Sequence, residues 1–133
     1  AERSVHRVYH ALVQGKPEEN SGTIHEWLLE DKFLRVKSVN KRTPNAREAI
    51  THWSIEDSDD IASLIMLTIE TGRRHQIRVG LANLGNPVVG DEQHGAEGNP
   101  IGRIALHATA LELLHPATDD PVRFEATIPF GPE

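Results

Sequence analysis

The chain has no cysteine among its 133 residues. That excludes disulfides, thiolate metal ligands and a thiol nucleophile, and it permits a reducing compartment. Aromatic residues are scarce, at 5%, which argues against a broad base-stacking sheet of the RNA-recognition-motif type. Long apolar runs are missing as well, and no stretch approaches the roughly 20 residues needed to cross a bilayer. The opening "AERSVHRVYH" has neither the apolar core of a secretory signal nor an arginine-rich, acid-poor transit pattern. A soluble, cytoplasmic protein with no membrane partner is the expectation. There is also no overall excess of positive charge. With a formal net charge of -6, binding to a polyanion must rest on a local basic patch rather than on the whole surface.

What is present reads as one domain. A chain of this length buries roughly two thirds of its unfolded surface, enough for an ordinary core. Turn-sized clusters such as "GKPEENSG", "KRTPNARE" and "GAEGNPIG" divide it, and none resembles a domain linker. Between the breaks, "VHRVYHALV", "TIHEWLL", "FLRVKSV", "AITHWSI", "SLIMLTIE", "IALHATALELL" and "RFEATIP" are rich in branched residues and read as strands. One segment differs. In "RRHQIRVGLANLG", Ile77, Leu81 and Leu84 recur at helical spacing and Gly85 stands where a left-handed cap belongs. The helix is expected to begin near Thr71 to Arg73. These elements predict an α+β class, with a mixed, mostly antiparallel sheet and one main helix.

The stretch "TGRRHQIRVG", Thr71 to Gly80, holds three arginines and a histidine. Arginines in the first turn of a helix oppose its dipole, so local energetics does not select Arg73 and Arg74. Two readings stay open: an anion site for phosphate or carboxylate, or a solvated turn whose arginines pair with Glu70 or Glu48. Arg78 flanks the apolar stripe, and a partly buried arginine there needs an anionic partner. A second basic patch, "KFLRVKSVNKRTPNAR", has six cations and no acid from Lys32 to Arg47. It is either a solvated hairpin or a track for backbone phosphates. Eight histidines raise the question of a metal, but no H-x-x-x-H lies on the helix and no carboxylate stands at ligand spacing, so none is expected. His75 reads as a structural hydrogen bonder.

Taken together, "ETGRRHQIRVGLANLGNPVVGD" and "RIALHATALELLHP" closely resemble the C-terminal half of the RluA-type RNA pseudouridine synthases. Their pattern runs TGR-x-HQIRVHLA-x-LG-x-P-I-x-GD, then R-L-x-LHA-x-x-L-x-x-HP. Upstream, "RVYHALVQG" resembles the family's K-x-Y-x-A-x-V-x-G strand, "SGTIHEWL" its G-x-I-x-x-x-L segment and "EAITHW" its A-x-T-x-aromatic strand. The five blocks keep order and spacing from Arg7 to about Pro129.

The resemblance implies an enzyme that detaches the uracil of a chosen uridine in ribosomal or transfer RNA, turns it and rejoins it through carbon 5, with no cofactor and no metal. It implies Tyr9 as the aromatic that stacks on the extracted base and assists proton removal from carbon 5. Arg78 becomes the partner of the catalytic aspartate, Leu106 a wall of the uracil pocket, and Arg73 and Arg74 outward contacts to RNA phosphate. The family's aspartate lies in an H-R-L-D-x-x-T-S-G motif before the K-x-Y strand, and this sequence has no such motif. Residues 1–133 are therefore expected to be a single, incomplete catalytic domain, its C-terminal portion, inactive alone, with Arg78 lacking its natural partner. The alternative is a non-catalytic RNA-binding module derived from the family. Two departures stand out: Gly80 where the family usually has histidine, and His94 where a tyrosine is usual.

Overall fold

A computed structural model describes residues 5–98, 102–114 and 121–125, with side chains from 7 to 98 and from 102 to 108. The elements are β1 (Val5–Gln14), β2 (Ser21–Glu30), β3 (Val36–Val39), β4 (Arg47–Ser58), β5 (Ala62–Ile69), α1 (Gln76–Leu84), a 3-10 turn η1 (Glu92–His94), β6 (Leu106–Leu114) and β7 (Pro121–Glu125). All seven expected strands form. The expected end of the last, beyond Glu125, lies outside the described residues. They make one sheet in the order β3-β2-β4-β5-β1-β6-β7. Every pairing among the described residues is antiparallel.

Alternation explains the sheet's two faces. Ala49, Thr51 and Trp53 in β4, and Ser63, Ile65 and Leu67 in β5, are buried, while the residues between them are partly exposed. The helix lies on the buried face. Ile77 and Leu81 join a core with Ala11, Val13, Trp53, Ile65 and Leu67, and Val79 meets Leu28, Val36 and Ala49. Leu84, expected on the same stripe, is instead exposed at the last helical position, and Val79 takes up that packing role. On the opposite face, polar pairs cross between strands: His25 with Glu48, His52 with Glu70, and His10 with Glu56.

The helix begins later than the spacing predicts. Arg73 and Arg74 precede it, and His75 is its N-cap residue in the left-handed conformation (φ 56°, ψ 16°). The cause is Gln76, a buried polar residue. Its side-chain oxygen accepts from the Thr71 hydroxyl (2.7 Å) and the Arg73 N–H (3.1 Å). Its amide nitrogen donates to the Ile50 carbonyl (3.0 Å) and the Thr51 hydroxyl (2.8 Å). The loop is thus tied to β4, and the two arginines stand before the helix rather than in its first turn.

At the other end Gly85 adopts φ 98°. Its N–H donates to the Ala82 carbonyl and that of Asn86 to Leu81, closing a Schellman motif. Gly80, costly within a helix, sits where an added Cβ would stand 3.3 Å from both Glu26 Oε1 and Ile24 Cδ1. The glycine lets β2 approach the helix. Beyond the helix, Asn86–Asp91 is stitched to the end of β1: Gln14 N–H donates to Pro87, Val89 N–H to Leu12, and Asn86 Nδ2 to the Gln14 carbonyl. That path brings Asp91 beneath the helix.

Leu81 is fully buried between helix and sheet, so Leu81→Ala is expected to destabilise the chain by about 2–5 kcal/mol in urea unfolding. A loss well under about 1 kcal/mol would mean that the helix does not seat on this core.

Candidate active site

A cleft of about 220 Å3 opens at the junction of β1, the end of β5, the loop before α1, the first turn of α1 and the start of β6. Arg7, Tyr9, Ile69, Arg73, Arg78 and Leu106 are among the residues that line it. Four of the five residues singled out from the sequence, Tyr9, Arg73, Arg78 and Leu106, therefore meet in one place. The fifth, Arg74, lies in a neighbouring depression of about 330 Å3 with Arg47, Asn45 and Glu30, and Arg73 forms a wall of both.

Tyr9 stands beside a register fault. In β1 it pairs with Leu67 of β5 and Ala108 of β6, but Val8 pairs with Ala110, so one extra residue of β6 lies opposite the Val8–Tyr9 step. Such bulges twist a strand and re-aim side chains beside functional clefts. Leu106 enters the same wall, paired with Ala11.

Arg78 has an anionic partner within the chain, Asp91, which is not the aspartate of the family's H-R-L-D motif. Its Nε donates to Asp91 Oδ2 (2.9 Å) and its Nη2 to Asp91 Oδ1 (2.8 Å). The side chains are 15% and 0% exposed. Such a buried fork is costly to break, at about 3–5 kcal/mol when one partner is removed. Asp91 was not recognised from the sequence because a Gly-Asp pair reads as a turn, and nothing local announces burial. It is no substitute nucleophile, since it is fully buried and takes no part in lining the cleft.

The pair extends into two imidazoles. Arg78 Nη1 lies 3.1 Å from His75 Nε2, and His75 Nδ1 lies 3.2 Å from His94 Nε2. A guanidinium only donates, so His75 Nε2 must accept. The proton of His75 is then on Nδ1 and is donated to His94 Nε2, which leaves the His94 proton on Nδ1. Both rings are neutral in this arrangement. Burial, then the nearby Arg78 charge, holds His75 below its ordinary value of 6.5, with Asp91 opposing. Burial also lowers His94, with Asp91 opposing and Arg78 assisting.

The outer arginines are partnered too, though not as expected. Arg73 Nε donates to the Glu48 carbonyl (2.8 Å) and Arg74 Nε to the Glu30 carboxylate (2.9 Å). The Glu48 and Glu70 carboxylates go instead to His25 and His52. Both arginines stay exposed. In the second patch, Arg35 pairs with Asp31, which precedes the acid-free run. No group of three His, Asp or Glu residues able to hold a metal occurs among the described residues. No helix among the described residues is long and apolar enough to cross a membrane.

With this geometry in place, comparison with known proteins is decisive. The family model described as RNA pseudouridylate synthase matches residues 1–83. The chain belongs to the RNA pseudouridylate synthase family. It is 36% identical over 129 residues to the uncharacterized RNA pseudouridine synthase YhcT of Bacillus subtilis (strain 168), covering 96% of this chain and 42% of that protein. It is 34% identical over 141 residues to the ribosomal large subunit pseudouridine synthase D of Xanthomonas campestris pv. campestris, again covering 96% of this chain and 42% of the relative. Human RNA pseudouridylate synthase domain containing 1 superposes with a TM-score of 0.76 at 26% identity, over 95% of this chain and 56% of that one. The chain thus spans about two fifths of the length of these two curated synthases. Asp91 and Leu106 lie beyond the span of the family match.

The depressed histidines set a pH dependence. Their folded values lie below 6.5, so on acidification the unfolded chain takes up protons first. Their contribution is complete above about pH 6.5 and is lost as pH falls from there toward the folded values. Replacing His94 with Gln keeps an acceptor for His75 and removes one titrating ring. The fall in Tm between about pH 7.5 and 5 is expected to be smaller in His94→Gln than in the parent, and an equal fall would contradict the neutral-imidazole arrangement.

Proposed function

We propose that this chain supplies the base pocket and the arginine of an RNA pseudouridine synthase acting on uridine in ribosomal or transfer RNA in the cytoplasm, with its aspartate nucleophile carried on a portion of the enzyme outside these residues. In the reaction the N1–C1′ glycosidic bond breaks, the uracil turns, and C5 takes its place on C1′. C5 gives up its proton and N1 gains one, so the change is an isomerisation that calls for no redox partner. Tyr9 offers a ring against which the extracted base stacks, an interaction worth about 1–3 kcal/mol that offsets the stacking lost on flipping. Leu106 and Ile69 line the cleft around it. Arg78 has five N–H groups. Four are directed to Asp91, His75 and, at 3.4 Å, Gln93 Oε1. One Nη1–H has no acceptor among the described residues, and it would meet the nucleophilic carboxylate.

The observation that carries this reading is the convergence of Tyr9, Arg78 and Leu106, drawn from three elements, on a single cleft. Within the proposed substrate class, ribosomal RNA is supported by the name of the Xanthomonas relative, a ribosomal large subunit enzyme. The wall shared through Arg73 extends the cleft toward Arg74 and Arg47, giving an otherwise acidic protein a local basic path for the RNA backbone.

In the full-length enzyme, Arg78→Met and Tyr9→Leu should each abolish conversion of uridine to pseudouridine, assayed by mass shift after cyanoethylation of the RNA. Undiminished turnover in either variant would remove that residue from the site. RNA retained by the parent with no conversion under any condition would favour a binding module. A separate readout concerns phosphate: Arg73→Ala and Arg74→Ala are each expected to make the slope of log Kd against log salt shallower by about 0.7. An unchanged slope would place these arginines off the RNA path.

A further inference from the structure

We propose that Asp91 is the positioning residue of the site, acting as a clamp that fixes the plane of the Arg78 guanidinium so that its remaining N–H faces the cleft. The geometry of the clamp stands on its own, while its consequence for turnover rests on the synthase reading above.

An arginine side chain has several flexible torsions and much rotamer entropy to lose, so lining a cleft does not by itself aim a particular N–H. Here the Nε and Nη2 side of the fork closes on both oxygens of a carboxylate with no solvent exposure. Two parallel bonds fix a plane where one would leave a pivot. The carboxylate is itself anchored through the backbone: Asp91 N–H donates to Val88, and the Asp91 carbonyl accepts from His94 and Ala96. Val88 bridges to Val13 of β1, the strand that carries Tyr9. Arginine and tyrosine are thereby held to one frame. A third constraint comes from His75, whose left-handed backbone places its Nε2 against Nη1. Such a conformation is uncommon outside glycine and persists where surrounding contacts fix it.

Asp91 also offsets the charge it holds. The nucleophile would meet an oriented N–H on a nearly neutral pair rather than a bare cation, so orientation and charge make opposite predictions. Asp91→Asn keeps the side-chain shape, releases the fork and unmasks the positive charge. If positioning governs, kcat of the full-length enzyme falls about 100-fold, the scale of a small misplacement of a reacting group, while KM for RNA stays within about two-fold. In an Arg78→Lys background, which has no fork to orient, Asp91→Asn should lower kcat by less than about three-fold. If charge governs, Asp91→Asn leaves kcat unchanged or raises it, and the proposal falls. An equal loss in both backgrounds would also overturn it, since that is the signature of a merely structural role.

A second measurement needs no turnover. In the 133-residue chain, Arg78 Nε–H should give a slowly exchanging NMR resonance that disappears in Asp91→Asn while the backbone amide pattern persists. Its absence from the parent would overturn the clamp. Its presence together with an enzyme that converts no uridine would sink the synthase reading and leave the clamp standing.

Discussion

The buried ion pair between Arg78 and Asp91 is the constraint on which the arrangement depends. It joins the first turn of α1 to the segment after the helix, and that segment is stitched to the end of β1. An unpaired guanidinium at 15% exposure would carry a large desolvation cost. Helix, return segment and β1 therefore have to assemble together. The cleft is a by-product of that assembly: it lies where β1, β6 and the helix start converge around the pair.

Much of this was legible in the residues. Short runs rich in branched residues between turn-sized breaks announced a mostly antiparallel sheet, and Gly85 announced the end of the helix. The arginine-histidine block drew attention to the candidate site, because Arg73 and Arg74 near a helix start have no local energetic reason to be there and a partly buried Arg78 needs an anionic partner. The start of the helix was misread, since the expected position weighed only local periodicity. What decides it is Gln76, whose four hydrogen bonds reach from its own loop to β4. The partners of the arginines were hidden for the same reason. Glu30 is 44 residues from Arg74 along the chain, and only the β2-β4 pairing brings it within reach. Asp91 lay in plain view within the quoted motif, but burial of a turn-like aspartate is a tertiary property. The bulge opposite Tyr9 left no signal at all, because an extra strand residue looks like any other.

The charge distribution reconciles an acidic chain with the polyanionic substrate proposed for it. Glutamates on the sheet face away from the helix are tied to histidines, while exposed Arg73 and Arg74 gather on the cleft side with Arg47. A net negative charge keeps distant surfaces from adhering to RNA, and a short basic strip suffices for local contact. Arg73 and Arg74 are held by a carbonyl and a carboxylate that a phosphate would have to displace or share, so the strip is pre-shaped at some expense of affinity.

The one-way chain of donors from Arg78 through His75 to His94 bears on how this sequence departs from its relatives. Position 94 has one chemical duty, to present a lone pair at ring distance from the His75 Nδ1–H. An imidazole nitrogen does so, and so does a phenol oxygen, the group usual at this position in the family. The departure at position 94 therefore keeps an acceptor for the His75 Nδ1–H.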